Sequence, residues 1–415
     1  MTILIIADDL TGANDTNVQF VKYGASAITI YDPTIMSYGD FDVCSFSTES
    51  RSLSRENAYQ AVNSVIKRLP IQPEDLIYKK VDSALRGCLG IEIDALADNF
   101  PWIKAVLVAP AYPDNHRTTS NGCQYINGVA VDQTEMAADP MTPVTDSNLL
   151  TILGSQSHRK IGYLPLNQVI KGYTAAQLYI RDLIHDNCRI IVADAETNQH
   201  LSTLAHVVWN EKNIIPCGSA GLALAFANIY NQYRSKGCRQ RKSTYSSPFL
   251  AVVGSKSDIA SLQIGAVRRG FPNIKMIPID TGDLVDSARA ESKINQVATS
   301  AIEIFKTEPI LVLYLSSSEI HQSSEAPIIA SGLGEIADRI TRQTGLKTLF
   351  ATGGDTAAHI FDKLGIQALE LEKELEPGIC KGKFVGGTYD GLSVITKAGS
   401  FGDELTLVRI LKNVR

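Results

Sequence analysis

A short apolar run, Thr2 to Ala7, stops at two adjacent carboxylates, Asp8-Asp9, and passes through Leu10-Thr11-Gly12 into sequence of helical character. A buried strand that ends in polar residues and turns into a helix is the repeating unit of an open, largely parallel sheet. The same rhythm recurs down the chain. Spacing predicts strands over 3–7, 27–31, 43–46, 76–80, 105–109 and 190–193, with helices over 55–67, 83–97, 175–185 and 222–231. Residues 112–148, rich in Pro, Asn, Asp and Thr, read as a long irregular segment, and loops of that length in a compact domain are usually functional.

A polar, locally basic stretch at 233–247 then interrupts the pattern, and its charges read as solvated. Beyond it, strands are predicted over 249–253, 275–279, 310–315, 348–352 and 392–396, and helices over 259–268, 292–305 and 327–342. A chain of 415 residues exceeds what one core usually supports. The expected organisation is therefore α/β with two domains, 1–235 and 248–415, joined by a linker at 236–247. Each domain has a mainly parallel sheet flanked by helices.

Bulk properties exclude several classes. A net charge of -5 leaves no basic footprint for nucleic acid or a membrane surface. No apolar stretch is long enough to span a bilayer, and Asp8 and Asp9 interrupt the first apolar run too early for a signal peptide. Seven scattered cysteines without a C-x-x-C pair argue against disulfides and zinc, and fit a reducing cytoplasm. Small molecules are the expected partners, and a homodimer is one assembly state that the sequence leaves open.

Three polar clusters follow successive strands of the first half. They are Asp8-Asp9; Ser47-Thr48-Glu49-Ser50-Arg51; and Lys79-Lys80-Val81-Asp82-Ser83 with Arg86-Gly87. Ligands of open parallel sheets bind beyond the carboxyl ends of the strands. Arg51, Lys80 and Ser83, the last read as a helix N-cap, would hold a small anion, while Asp9 accepts from hydroxyls. A hydroxy acid fits both halves of that description. Against it stands a purely structural reading, in which Asp8 or Asp9 caps the first helix and the cations make surface ion pairs.

The second half carries small residues at its strand ends: Gly254-Ser255-Lys256-Ser257, Thr352-Gly353-Gly354-Asp355-Thr356, Gly386-Gly387-Thr388 and Lys397-Ala398-Gly399-Ser400-Phe401-Gly402. Glycines let backbone amides approach phosphate oxygens. A Walker A pattern and a strand-linked G-x-G-x-x-G are both missing, which disfavours a P-loop fold and a dinucleotide dehydrogenase. Any one of these loops could be an ordinary turn; four in one domain favour a nucleotide-phosphate site.

Asp8-Asp9-Leu10-Thr11-Gly12-Ala13, Lys80-Val81-Asp82-Ser83-Ala84-Leu85-Arg86-Gly87, Gly353-Gly354-Asp355-Thr356 and Lys397 to Gly402 together resemble the four-carbon acid sugar kinases, in order and over nearly the whole chain. The resemblance implies ATP-dependent phosphorylation of the 4-hydroxyl of a tetronate, with an N-terminal acid-sugar domain, a C-terminal nucleotide domain and an active site in the interdomain cleft. It implies substrate contacts at Asp9, Arg51, Lys80, Val81, Asp82 and Ser83, and ATP contacts at Ser255, Gly353, Gly354, Asp355, Thr356 and Gly399. Mg²⁺ is expected with ATP, held mainly by phosphate oxygens and water. Asp355, then Asp403, are the candidates for the catalytic carboxylate. Leu10, where 3-oxo-tetronate members tend to carry Phe, resembles the D-threonate and D-erythronate kinases. One departure is Asn115-His116-Arg117-Thr118-Thr119, where the resemblance implies Gly before Arg-Thr-Thr. The rival from another class is a non-catalytic sugar-acid sensor.

Overall fold

The computed structural model describes residues 1–31, 41–69, 71–72, 74–139, 141–232, 245–316 and 325–414. The chain divides into two compact units, Met1–Cys238 and Arg239–Arg415. Residues 236–244 of the expected linker lie outside the described residues. Tyr245, expected within that linker, instead pairs with Val414 as an isolated bridge and is buried in the second unit.

The first unit runs β1 (Ile3–Ala7), α1 (Leu10–Val21), β2 (Ala27–Ile30), β3 (Val43–Ser47), α2 (Arg55–Arg68), β4 (Leu76–Lys80), α3 (Leu89–Asn99) and β5 (Ala105–Ala109). Three short strands follow, β6 (Arg117–Ser120), β7 (Cys123–Ile126) and β8 (Val129–Ala130). Then come α4 (Leu149–Gln156), β9 (Ile161–Leu164), α5 (Leu166–Ile170), α6 (Tyr173–His185), β10 (Ile190–Ala193), α7 (Asn198–Asn210), β11 (Ile214–Gly218) and α8 (Ala220–Gln232). Its main sheet has the order β2-β3-β1-β4-β11-β5-β10-β9, with every described pairing parallel. All five residues of β1 are buried, as a parallel strand covered on both faces requires. Helices α2, α3 and α4 pack in one series and α1, α8, α7 and α6 in another.

The chain moves from β3 to β4 across β1, so β1 and β4 mark the point where strand order changes direction. In parallel sheets that is where ligands bind. Register keeps the strand ends level: Ala7 pairs with Ser47 and with Lys80, and Lys80 with Gly218.

Two expectations need correction. Helix α3 begins at Leu89 rather than at 83, because Leu85 (φ 64°) and Gly87 (φ 95°) take left-handed backbone that a helix cannot accommodate. Ser83 is therefore not an N-cap. Within the segment 112–148, residues 117–130 are not irregular either: β6, β7 and β8 form an antiparallel sheet joined by Asn121-Gly122 and Asn127-Gly128, all four residues left-handed. Asn-Gly is the strongest short hairpin signal, because both residues tolerate the positive φ of a type I′ turn.

The second unit runs β12 (Phe249–Val253), α9 (Asp258–Gly270), β13 (Lys275–Ile279), α10 (Thr281–Val285), α11 (Ala290–Phe305), β14 (Ile310–Leu315), α12 (Glu325–Thr344), β15 (Thr348–Thr352) and α13 (Gly354–Lys363). It ends with β16 (Ala368–Glu376), β17 (Ile379–Val385), β18 (Ser393–Lys397) and α14 (Thr406–Leu411). Strands follow the order β13-β14-β12-β15-β18-β17-β16; the first five are parallel, and β17 runs antiparallel to both neighbours. Val253 pairs with Thr352 and Thr352 with Lys397, so the glycine turns at 254, 353 and 399 leave the sheet side by side. No helix among the described residues is long and apolar enough to cross a membrane.

Close strand packing in the first unit sets one expectation. A Cβ on Gly218 would sit 2.5 Å from the Ala109 carbonyl oxygen. Gly218→Val is expected to lower the urea midpoint by the equivalent of about 1–3 kcal/mol, the usual cost of overpacking. An unchanged midpoint would mean that β5 and β11 are not this close.

Candidate functional site

At the carboxyl edge of the first sheet, charge is buried and paired. Asp9 is the N-cap of α1: Oδ1 accepts from the Gly12 amide at 2.8 Å and Oδ2 from the Thr11 hydroxyl at 2.7 Å. The cap reading of this residue holds, yet the same carboxylate also takes a bidentate pair from Arg51, Nη1 to Oδ2 and Nη2 to Oδ1, both 2.7 Å. Arg51 Nε donates to Asp8 Oδ2 at 2.9 Å. Its guanidinium is thus spent on the two aspartates rather than presented to a ligand anion. Burial opposes the charge on Asp8, but Arg51, Lys80 and Lys79 outweigh it and hold the carboxyl below its ordinary range. Asp8 Oδ1 is buried and accepts no hydrogen bond.

Lys79 and Lys80 point to opposite faces of β4, as consecutive strand residues must. Lys79 is fully buried and meets Glu92 of α3 at 2.6 Å. Burial alone would strip its proton; Glu92 and Asp8 outweigh that and hold it above the ordinary lysine value. Lys80 is also buried, 4% exposed, and its ammonium lies where a Cβ on Gly12 would come within 2.8 Å of it. Among the described residues nothing donates to, accepts from or ion-pairs with that ammonium.

The Val81 amide is committed to the Gly218 carbonyl at 3.0 Å. The Asp82 carboxylate accepts from Arg86 Nε at 2.6 Å; burial raises its pKa, but Arg86 and Arg51 overcome that and hold it well below the carboxylate range. Ser83 receives Arg117 on its hydroxyl and the Gln124 amide on its carbonyl at 2.7 Å. Arg117, missed as a site residue, is brought in by the β6–β7 hairpin and is 6% exposed. His116 before it takes φ 53°, ψ 33°, the left-handed conformation in which glycine was expected. The hairpin is anchored by buried Asp194, which accepts from the Asn121 and Gly122 amides and the Tyr163 hydroxyl at 3.0, 2.9 and 2.6 Å.

In the second unit the strand ends are shaped by contact between small residues. A Cβ on Gly254 would collide with the Thr356 side chain, one on Gly353 would lie 3.4 Å from the Ser255 amide, and one on Gly399 would lie 2.5 Å from Ser255 Oγ. Gly353 has φ 98° and precedes α13, whose first turn carries Gly354, Asp355 and Thr356. Side chains are thus kept off the strand ends at Gly254, Gly353 and Gly399, which leaves backbone there. Asp355 is exposed in that first turn. Asp403 is placed otherwise: its carboxylate accepts from Arg409 and from the Leu405 amide, both at 2.8 Å. The hydrogen bond from Arg409 pulls its pKa down, which suits a helix-end brace better than a proton acceptor. Among the described residues no three His, Cys, Asp or Glu side chains converge on a metal position.

Residues 3–226 match the family described as sugar-binding N-terminal domain, and residues 250–407 the family described as nucleotide-binding C-terminal domain. The chain is 31% identical to the D-threonate kinase of Salmonella typhimurium, with 98% of this chain and 97% of that protein aligned. It is 30% identical to the D-erythronate kinase of Heliobacterium modesticaldum, with 97% and 94% aligned. Its fold also matches the solved structure of a Salmonella typhimurium LT2 protein, with a TM-score of 0.81, 21% identity and 98% of each chain covered.

The backbone at His116 is open to a direct test. Left-handed conformation costs a residue bearing a side chain about 1–2 kcal/mol. His116→Gly is expected to leave the unfolding midpoint within about 1 kcal/mol of the parent or to raise it, the relief being partly offset by a freer unfolded chain. His116→Val should lower it. The reverse order would show that the loop does not hold this conformation.

Proposed function

We propose a specific reaction for this chain, which belongs to the four-carbon acid sugar kinase family and is a phosphotransferase acting on a sugar acid: transfer of the γ-phosphoryl group of ATP to the 4-hydroxyl of a tetronate, D-threonate first. D-erythronate and the 3-oxo-tetronates are the competing substrates. Residues near Leu10 support the order, and both kinds of relative named above keep the first two close.

The observation that carries the reading is the Lys80 ammonium. A buried charge with no hydrogen bond or close ion pair among the described residues, eased only by Asp8 at longer range, is costly, and a ligand carboxylate supplies the close partner. Lys80 therefore takes the acid group of the substrate. All four acceptor positions of Asp9 are taken by Arg51, Thr11 and Gly12, so a substrate hydroxyl reaches this carboxylate by displacing one of those donors. Arg51 serves by fixing both aspartates. Val81, with its amide spent, has its carbonyl to offer; Asp82 and Ser83, braced by Arg86 and Arg117, complete the wall of the pocket.

In the second unit, Ser255, Gly353, Gly354, Thr356 and Gly399 cradle the nucleotide phosphates. Mg²⁺ arriving with ATP neutralises charge on the transferring group. Asp355, in the first turn of α13, would help hold that cation or would accept the proton of the attacking hydroxyl. Phosphoryl transfer asks for alignment and charge neutralisation more than for a strong base, so a carboxylate of ordinary basicity suffices.

ADP release measured across D- and L-threonate, D- and L-erythronate and the 3-oxo-tetronates tests the substrate; a sensor would bind an acid and release no ADP with any of them. Lys80→Met should raise KM for the acid about 10–100-fold, the worth of one charge-assisted hydrogen bond. Asp9→Asn, which keeps the helix cap, should abolish turnover while ADP binding survives. Gly399→Val should do the converse, losing nucleotide and keeping the acid. Unchanged kinetics in Lys80→Met would remove that residue from the pocket.

A further inference from the structure

Lys397 ends β18 with its side chain sealed from solvent. Its ammonium donates to three backbone carbonyls of the turn that follows: Ala398 at 3.0 Å, Gly399 at 2.9 Å and Phe401 at 3.0 Å. Its own carbonyl accepts from the Gly353 amide at 3.1 Å. One residue thereby ties together two glycine turns. The Ser257 hydroxyl adds a second donor to the Gly399 carbonyl at 2.8 Å.

Among the described residues no carboxylate touches this cation. Its sheet neighbours in register are Thr352 on β15 and Ile379 on β17, and neither titrates. From α9 the facing side chain is Gln263, which holds the Asp403 carbonyl at 2.8 Å. Glu376 on β16 acts on Lys397 from a distance, but its carboxylate is occupied by Arg409 of α14 and by the Thr406 hydroxyl. Asp403 is likewise bound to Arg409. The ammonium thus makes its hydrogen bonds to backbone carbonyls, and burial, only partly offset by Glu376, pushes it down to about 7. An apolar side chain would fill a strand end at lower cost.

The return on that cost lies in peptide geometry. In a planar trans peptide the C=O of one residue and the N–H of the next point in opposite directions. Drawing the carbonyls of Ala398, Gly399 and Phe401 inward turns the amides of Gly399, Ser400 and Gly402 outward. Among the described residues none of those three amides donates a hydrogen bond. Together they form an outward-facing nest for an anion.

We propose that Lys397 is a positioning residue of the nucleotide site: its buried ammonium holds the 398–402 turn so that the Gly399, Ser400 and Gly402 amides receive a nucleotide phosphate. It acts through backbone it organises. This rests on the reading of the second unit as the ATP site.

The test is ADP binding by calorimetry, with D-threonate binding measured in parallel, for the parent and for Lys397→Met. The variant should lose about tenfold or more in ADP affinity and keep its affinity for the acid. In the parent, a bound phosphate keeps the ammonium protonated, so affinity is full below about pH 7 and falls as pH rises beyond it. Between pH 7.5 and 9 the nucleotide phosphates, with a second pKa of about 6, no longer titrate. There the loss should approach tenfold per pH unit, with close to one proton taken up per ADP, read from buffers of different ionisation enthalpy; in Lys397→Met both effects should vanish. If the variant does not fold, the proton count in the parent decides alone. ADP binding without proton uptake, or a folded Lys397→Met with parental affinity, overturns the proposal. A parent that binds no ADP at any pH refutes the ATP-site reading instead.

Discussion

The carboxyl edge of the first sheet depends on how the chain neutralises two lysines that end one buried strand. Alternation along β4 sends Lys79 and Lys80 to opposite faces, and each face answers differently. On the α3 side Glu92 closes a buried ion pair at 2.6 Å, and removing either partner would strand a charge where no water reaches it. On the α1 side Gly12 stands beside the second ammonium, and among the described residues no carboxylate comes within ion-pair distance of it, although Asp8 acts on it from farther away. A completed pair on one face and an open one on the other separate scaffold from site within a single dipeptide. Asp8 and Asp9 could have closed the second pair, but Arg51 claims both, and the open valence at Lys80 survives because of that competition.

The hairpin β6–β7 extends the same logic. It delivers Arg117 to Ser83, and it stays in place because Asp194 gathers two amides and a phenol at the turn. Hydrogen bonds to a buried carboxylate are among the stronger ones available, at about 1.5–3 kcal/mol each. They offset the cost of leaving His116 in a left-handed conformation. The side chain at 116 is therefore tolerated by the backbone rather than required by it.

What could be read in the residue order follows from whether the governing interaction is local. Continuous apolar runs made β1, β5, β12 and β15 legible, because a strand covered on both faces has little room for polar residues. The three strand-end clusters were legible for the same reason: parallel strands of matched length release their next residues at one edge. The hairpins were legible too, through Asn121-Gly122 and Asn127-Gly128, but the abundance of Pro and Asp around them reads as irregular chain. The start of α3 was not, since Leu85 and Gly87 take left-handed backbone inside a stretch whose apolar spacing is helical. Nor was the commitment of Arg51, which hangs on partners more than forty residues away.

On the proposed assignment the two units would hold their ligands by different physical means, and this accounts for how unevenly their residues announce themselves. In the first, charged side chains face the pocket, so Asp9 and Lys80 identify themselves by type. In the second, the groups that face an anion are amides, which every residue except proline carries, and the glycines mark where a side chain would obstruct them. The side chain that arranges those amides points the other way. Lys397 resembles an ordinary basic residue at a strand end until its carbonyl partners are counted, and its charge is concealed from the ligand it serves. A site built from backbone is thus legible in sequence through what it excludes, while the residue that shapes it is seen in the hydrogen bonds of the fold.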